Sequence, residues 1–211
     1  MLSADAIVKL HDQLTRAWHL EQVCPDPAAS HSTPESGLEW LGLVALQHRA
    51  NFDLWHIEDE ARAPEATEAQ LAGVKRRIDR TNQLRNDLAE KLDHALLAWL
   101  AAQGLPHPHA PLHSETPGLM IDRLSILALK IYHTREEAER TDAAVSHAER
   151  NLERLAILVE QRADLAGCLD ALWQETLAGT RRFKLYRQLK MYNDPSLNPA
   201  IYRKQPPARQ R

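Results

Sequence analysis

The chain has 211 residues, 44% of them hydrophobic and 26% charged, with a formal net charge of -3. That is long enough for one well-packed core, and it lies far from the low-hydropathy, high-charge composition that keeps chains disordered. Asp5, Lys9, His11, Asp12 and Arg16 interrupt the first twenty residues, so no signal-peptide core is expected there, and no apolar run approaches a membrane span.

Seven glycines in the whole chain, and long stretches of Ala, Leu, Glu, Arg, Lys and Gln, bias it towards helix. Apolar residues recur at helical spacing over 4–20, 38–62, 67–103, 117–133, 137–160 and 162–191. The pattern predicts an all-α, single-domain bundle of about six helices spanning 1–202, followed by a basic, frayed tail over 203–211. Proline-rich stretches at 25–34 and 105–114 read as loops. Pro64 followed by Thr67 reads as a helix stop and a new N-cap, which makes the second and third helices a long antiparallel hairpin. Cys24 and Cys168 lie far apart without zinc-ligand spacing and are read as reduced thiols, in keeping with a cytoplasmic protein.

On the second helix His48, Asn51, Trp55, Glu58, Asp59 and Arg62 fall within an arc of roughly 100°. Leu46, Ala50, Leu54, Ile57 and Ala61 stand opposite as the expected core stripe. On the third, Lys75, Asp79, Asn82, Asn86 and Asp93 share an arc of about 60°. Exposed helix faces ordinarily carry such charges, but asparagines are poor interior helix formers and a purely solvated face does not need them. If the two helices pair, carboxylates, amides, Lys75, His48 and Arg62 converge, and that mixture suits a magnesium-phosphate site.

Thr116 before Pro117 reads as an N-cap with proline at the first helical position, and Gly118 would let an anion approach the free amides. Arg123 and Lys130 reinforce that reading, while Asp122 and Arg123 could equally form a structural ion pair. From Arg181 onward nine Lys/Arg face one acid, Asp194, with Phe183, Tyr186, Tyr192 and Tyr202 among them. Nucleic-acid binding through this end ranks last, because a basic end is more often a solvated feature and aromatics at helical spacing more often pack inward. Dinucleotide, P-loop, nucleophile-elbow and HExxH motifs are all absent.

The segments NFDLWHIEDEAR (51–62), KRRIDRTNQLRND (75–87), ETPGLMIDRLSILALKIYH (115–133) and YRQLKMYNDPSLNP (186–199) resemble a bacterial family, the domain of unknown function numbered 4254. The resemblance covers most of the chain beyond the first 37 residues. It implies a setting beside glycosyltransferases of envelope polysaccharide and lipopolysaccharide assembly, and it carries no activity.

Two function classes follow. The first is an enzyme acting on a phosphorylated sugar or nucleotide-sugar, with magnesium as the expected cation. Glu58, Asp59 and Asp79 would be catalytic, joined by Asp87 as metal ligands. His48, Asn51, Trp55, Arg62, Lys75, Asn82, Asn86, Gly118, Asp122, Arg123 and Lys130 would bind substrate. The second is a non-catalytic accessory protein docked on a glycosyltransferase or assembled as a homodimer, its polar faces being a buried network that fixes helix register.

Overall fold

The structure is a computed structural model describing residues 2–21, 37–187 and 196–199. Among them run five helices: α1 (Ala4–Glu21), α2 (Gly37–Glu60), α3 (Glu68–Ala101), α4 (Pro117–Glu139) and α5 (Val145–Leu177). No strand forms among the described residues, only an isolated parallel bridge between Leu112 and Arg182.

Both expected N-caps are present. Thr67 accepts from the Gln70 amide while the Gln70 side chain accepts from the Thr67 amide, a capping box at the head of α3. Thr116 accepts from the Leu119 amide at the head of α4, with Pro117 in the first turn. The first three helices stop within two residues of the predicted ends, the later ones do not, and among the described residues five helices replace six. α4 continues past His133 to Glu139, because Thr134–Glu139 holds no glycine or proline and the His133–Glu136 contact supports the turn. The chain breaks instead at Arg140, which is extended and holds both Glu137 and Asp142. α5 then runs unbroken through Glu160–Arg162, where the apolar rhythm had suggested a boundary.

The last described helix ends at Leu177, well short of Met191. Gly179 adopts a φ of 73°, its amide donates to Thr176 O at 3.1 Å, and the Thr180 amide donates to Glu175 O at 2.9 Å. This paired arrangement closes a helix at a left-handed glycine. Beyond it the chain runs extended beside the 105–116 loop. His113 N donates to Arg182 O at 2.7 Å, Arg182 N to Pro111 O at 3.0 Å, and Arg182 Nε to Ala110 O at 2.8 Å. Phe183 is thereby buried in the core rather than offered to a ligand. The segment 25–34, residues 188–195 and the tail over 203–211 lie outside the described residues.

The core joins Ala4 and Ile7 of α1, Leu43 and Val44 of α2, Leu88, Leu92, Leu96 and Leu100 of α3, Met120, Ile121 and Leu124 of α4, and Leu169 and Trp173 of α5. α4 is the hub, touching every other helix. No described helix is long and apolar enough to cross a membrane.

Candidate functional site

The α2 arc expected to converge with α3 in a magnesium-phosphate site points inward at one end and outward at the other. Gln47, His48 and Asn51 are buried against α4, whereas Leu46, expected in the core, is 43% exposed. Asp122 Oδ1 accepts from Gln47 Nε2 at 2.5 Å and Asn51 Nδ2 at 2.9 Å, with Arg85 Nε of α3 at 3.2 Å as its ionic partner. Asn51 also reaches Ser125 Oγ at 2.9 Å. His48 bridges Ser125 Oγ at 2.7 Å through Nδ1 and Thr15 Oγ1 of α1 at 2.9 Å through Nε2. Side chains from four helices thus close one buried polar seam. Asp122 pairs with Arg85 and not with Arg123, which forms its own ion pair with Glu115.

Burial sets the electrostatics of the seam. Burial pushes the Asp122 carboxyl up, against the lowering effect of Arg85, Asn51 and Gln47. It drives His48 down to about 3 and His11, stacked on it at 4.4 Å, well below the ordinary histidine range. Both imidazoles are therefore neutral near pH 7.

The head of α4 is already occupied by a carboxylate from within the protein. Asp93 of α3 accepts from the Gly118 amide at 2.6 Å and from Thr116 Oγ1 at 2.5 Å. Gly118 is needed for close helix approach: a Cβ there would meet Ala89 O at 2.3 Å. The anion expected at this terminus is Asp93 itself.

The remaining sequence candidates are scattered along α2, α3 and α4, most of them at the surface. Glu58 and Asp59 both pair with Arg62, and Lys75 pairs with Asp79 one turn away. Asp87 accepts from Gln83 at 2.7 Å. Lys130 is exposed, Asn82 half-buried and Asn86 buried. The four carboxylates proposed for magnesium do not gather. Among the described residues one group of three possible metal ligands converges, and it is His19, His56 and His133.

Those histidines come from α1, α2 and α4, and one ring nitrogen of each lies within 4.8 Å of one from each of the others. Aromatic rings wall them in. Tyr132 stacks on His19 at 4.2 Å, Trp55 stacks on His133 at 4.8 Å, and Phe52 lies against His19 and His56 at 4.8 and 4.3 Å. Trp55, expected to bind substrate, thus serves this cluster. The histidines themselves were missed, because no spacing motif links residues on three separate helices.

A second feature opens where α2 turns into α3. A recess of about 660 Å³ is lined by Arg76, Arg77 and Arg80, with Glu60, Gln70, Val74 and the alanines of the connection. Arg77 donates to both oxygens of Glu60 at 2.6 and 3.0 Å, bracing the elbow. The arginines belong to the KRRIDR run, at positions i, i+1 and i+4, a spacing that puts Arg76 and Arg80 on one face.

Fold and sites together define an all-helical protein with an internal polar seam, a histidine-aromatic cluster and an arginine-lined recess. The chain belongs to the family described as protein of unknown function (DUF4254), whose profile matches residues 41–185, more than half of its length. The match takes in α3 to α5, the recess, His56 and His133, while α1 with His19 lies before it. No curated protein and no solved structure matches.

Proposed function

We propose that this protein binds and acts on a phosphorylated sugar or nucleotide-sugar of envelope polysaccharide or lipopolysaccharide biosynthesis, on the cytoplasmic side, through the recess at the α2–α3 elbow. The observation that carries the reading is the conjunction of size and charge there. A volume of about 660 Å³ suits a ligand of nucleotide-sugar size, since small-molecule pockets run from roughly 300 to 1,000 Å³. The Arg76 and Arg80 guanidinium groups supply planar donors for phosphate oxygens, Arg77 being held by Glu60, and Val74 with Ala63 and Ala66 gives an apolar part of the lining. Magnesium would enter with the phosphates, Glu65 being the carboxylate of the lining that is not held by Arg77.

The test is a thermal-shift panel of nucleotide-sugars and sugar phosphates, with and without magnesium, on wild type and on Arg76→Ala/Arg80→Ala. A ligand at a hundred times its Kd stabilises the folded state by about 2.7 kcal/mol. The expected result is a shift for one phosphate class in the wild type that the double variant lacks. Equal shifts in both proteins, or none in either, would remove the recess as the binding site.

A docked accessory role is the second reading, and a different observation favours it. The first half of α5 leaves Val145, Leu152 and Val159, seven residues apart and so on one face, exposed at 75%, 56% and 41%. An apolar stripe on a helix calls for a partner surface, a glycosyltransferase or a second copy of this chain. Under this reading no nucleotide-sugar shifts the protein, and Leu152→Glu/Val159→Lys abolishes capture of the glycosyltransferase or the homodimer seen by light scattering.

A further inference from the structure

We infer that His19, His56 and His133 form a three-histidine site for a borderline divalent transition metal, zinc foremost. The inference stands apart from the phosphate reading, since the cluster lies between α1, α2 and α4 and not in the arginine recess.

Hydrogen bonding selects the nitrogen that each ring offers. His19 Nδ1 bonds Thr15 O at 2.7 Å, His56 Nδ1 bonds Phe52 O at 2.8 Å, and His133 Nδ1 bonds Glu136 Oε2 at 2.8 Å. Carbonyl and carboxylate oxygens only accept, so Nδ1 carries the proton in all three rings and the lone pair sits on Nε2. That is the arrangement of metal-binding histidines, whose second nitrogen donates to a carbonyl or carboxylate that fixes tautomer and orientation. Two of the three free nitrogens, His19 Nε2 and His133 Nε2, are shielded from solvent and find no hydrogen-bond partner among the described residues. A buried, unpaired acceptor is destabilising, and a coordinated cation removes that penalty for both at once.

The donor set chooses the metal. Three imidazoles without a carboxylate favour zinc, cobalt, nickel or copper over magnesium or calcium. Zn–N bonds of about 2.0–2.1 Å put tetrahedral ligand atoms roughly 3.3 Å apart, so rings that each already place one nitrogen within 4.8 Å of the others' need only small displacements. Three protein ligands leave the fourth position to water or an incoming oxygen. Phe52, Trp55 and Tyr132 supply the apolar wall around it.

The test is equilibrium titration of the chelator-treated full-length protein with zinc and with cobalt. Wild type, His56→Gln, His133→Gln and the control His107→Gln/His109→Gln are compared, folding being checked by circular dichroism. One equivalent bound by wild type and control, with affinity at least a hundredfold weaker in each single variant, is the expected outcome. No stoichiometric binding, or variants that match wild type, overturns the inference. Should either variant fail to fold, X-ray absorption of the zinc-loaded wild type decides: three imidazole nitrogens support the site, and fewer, or sulfur ligation through Cys168, overturn it.

Discussion

Asp93 takes hydrogen bonds from the Gly118 amide and the Thr116 hydroxyl, both of which favour its ionised form, yet burial outweighs them and lifts its pKa to about 6. The folded state therefore holds this proton more tightly than the unfolded chain does. The associated stability is complete below the unfolded value of 3.8 and is lost as pH rises through about 6. A rise from 3.8 to about 6 corresponds to on the order of 3 kcal/mol. Asn at this position still accepts the Gly118 N–H and carries no charge to desolvate. Wild type is thus expected to gain stability relative to Asp93→Asn as pH falls from about 7.5 to about 4, read from urea unfolding at a series of pH values. Parallel stabilities across that range would show that the Asp93 carboxyl titrates as it does in the unfolded chain. His48 and His11 act with the opposite sign, as buried neutral bases. Their contribution is present above about 6.5 and declines as pH falls below it.

Two helical glycines separate local propensity from packing. Gly167 sits in the interior of α5 with nothing within 4 Å of a Cβ built on it, so Gly167→Ala is expected to stabilise by about 0.5–1 kcal/mol. Gly118 faces backbone, with Ala89 O at 2.3 Å and Asp93 Oδ1 at 2.9 Å from such a Cβ, and α3 must move to admit it. Gly118→Ala is expected to cost about 1–3 kcal/mol or more. Paired thermal melts with shifts of opposite sign check both, and a neutral Gly118→Ala would mean that α3 and α4 do not approach this closely. The same contrast governs what the sequence made legible. Caps at Thr67 and Thr116 are local chemistry and were readable. So was the sharing of one α2 face by His48, Asn51 and Trp55, because periodicity states it directly. Whether that face met water or α4 depended on helix placement, which periodicity does not contain, and Leu46 and His48 consequently exchanged expected environments. The α5 stop at Ala178-Gly179 carries a local signal that the continuing apolar rhythm towards Met191 obscured.

At the scale of the molecule, α1 is the element on which the histidine cluster depends. It packs on α2, α4 and α5, and it delivers His11 and Thr15 to the seam and His19 to the cluster. Few polar ties hold it to α5. The Ala4 amide donates to Asp170 Oδ1 at 2.9 Å, capping the start of α1, and Arg162 Nη1 donates to Asp12 Oδ1 at 2.7 Å. Removing the carboxylate in Asp170→Ala should cost about 0.5–2 kcal/mol, the range for a lost helix cap, and should speed amide exchange at the first turns of α1 before any change in α3 or α4. Zinc acts at the opposite end of the same helix. By joining His19 to His56 and His133 it would link α1 to α2 and α4, so saturating metal should slow exchange around Thr15–His19 while leaving α3 unaffected. Hydrogen exchange on wild type and Asp170→Ala, each with and without zinc, separates the two ends. If zinc protected all helices equally it would be stabilising the fold as a whole, and α1 would not be the element that the metal secures.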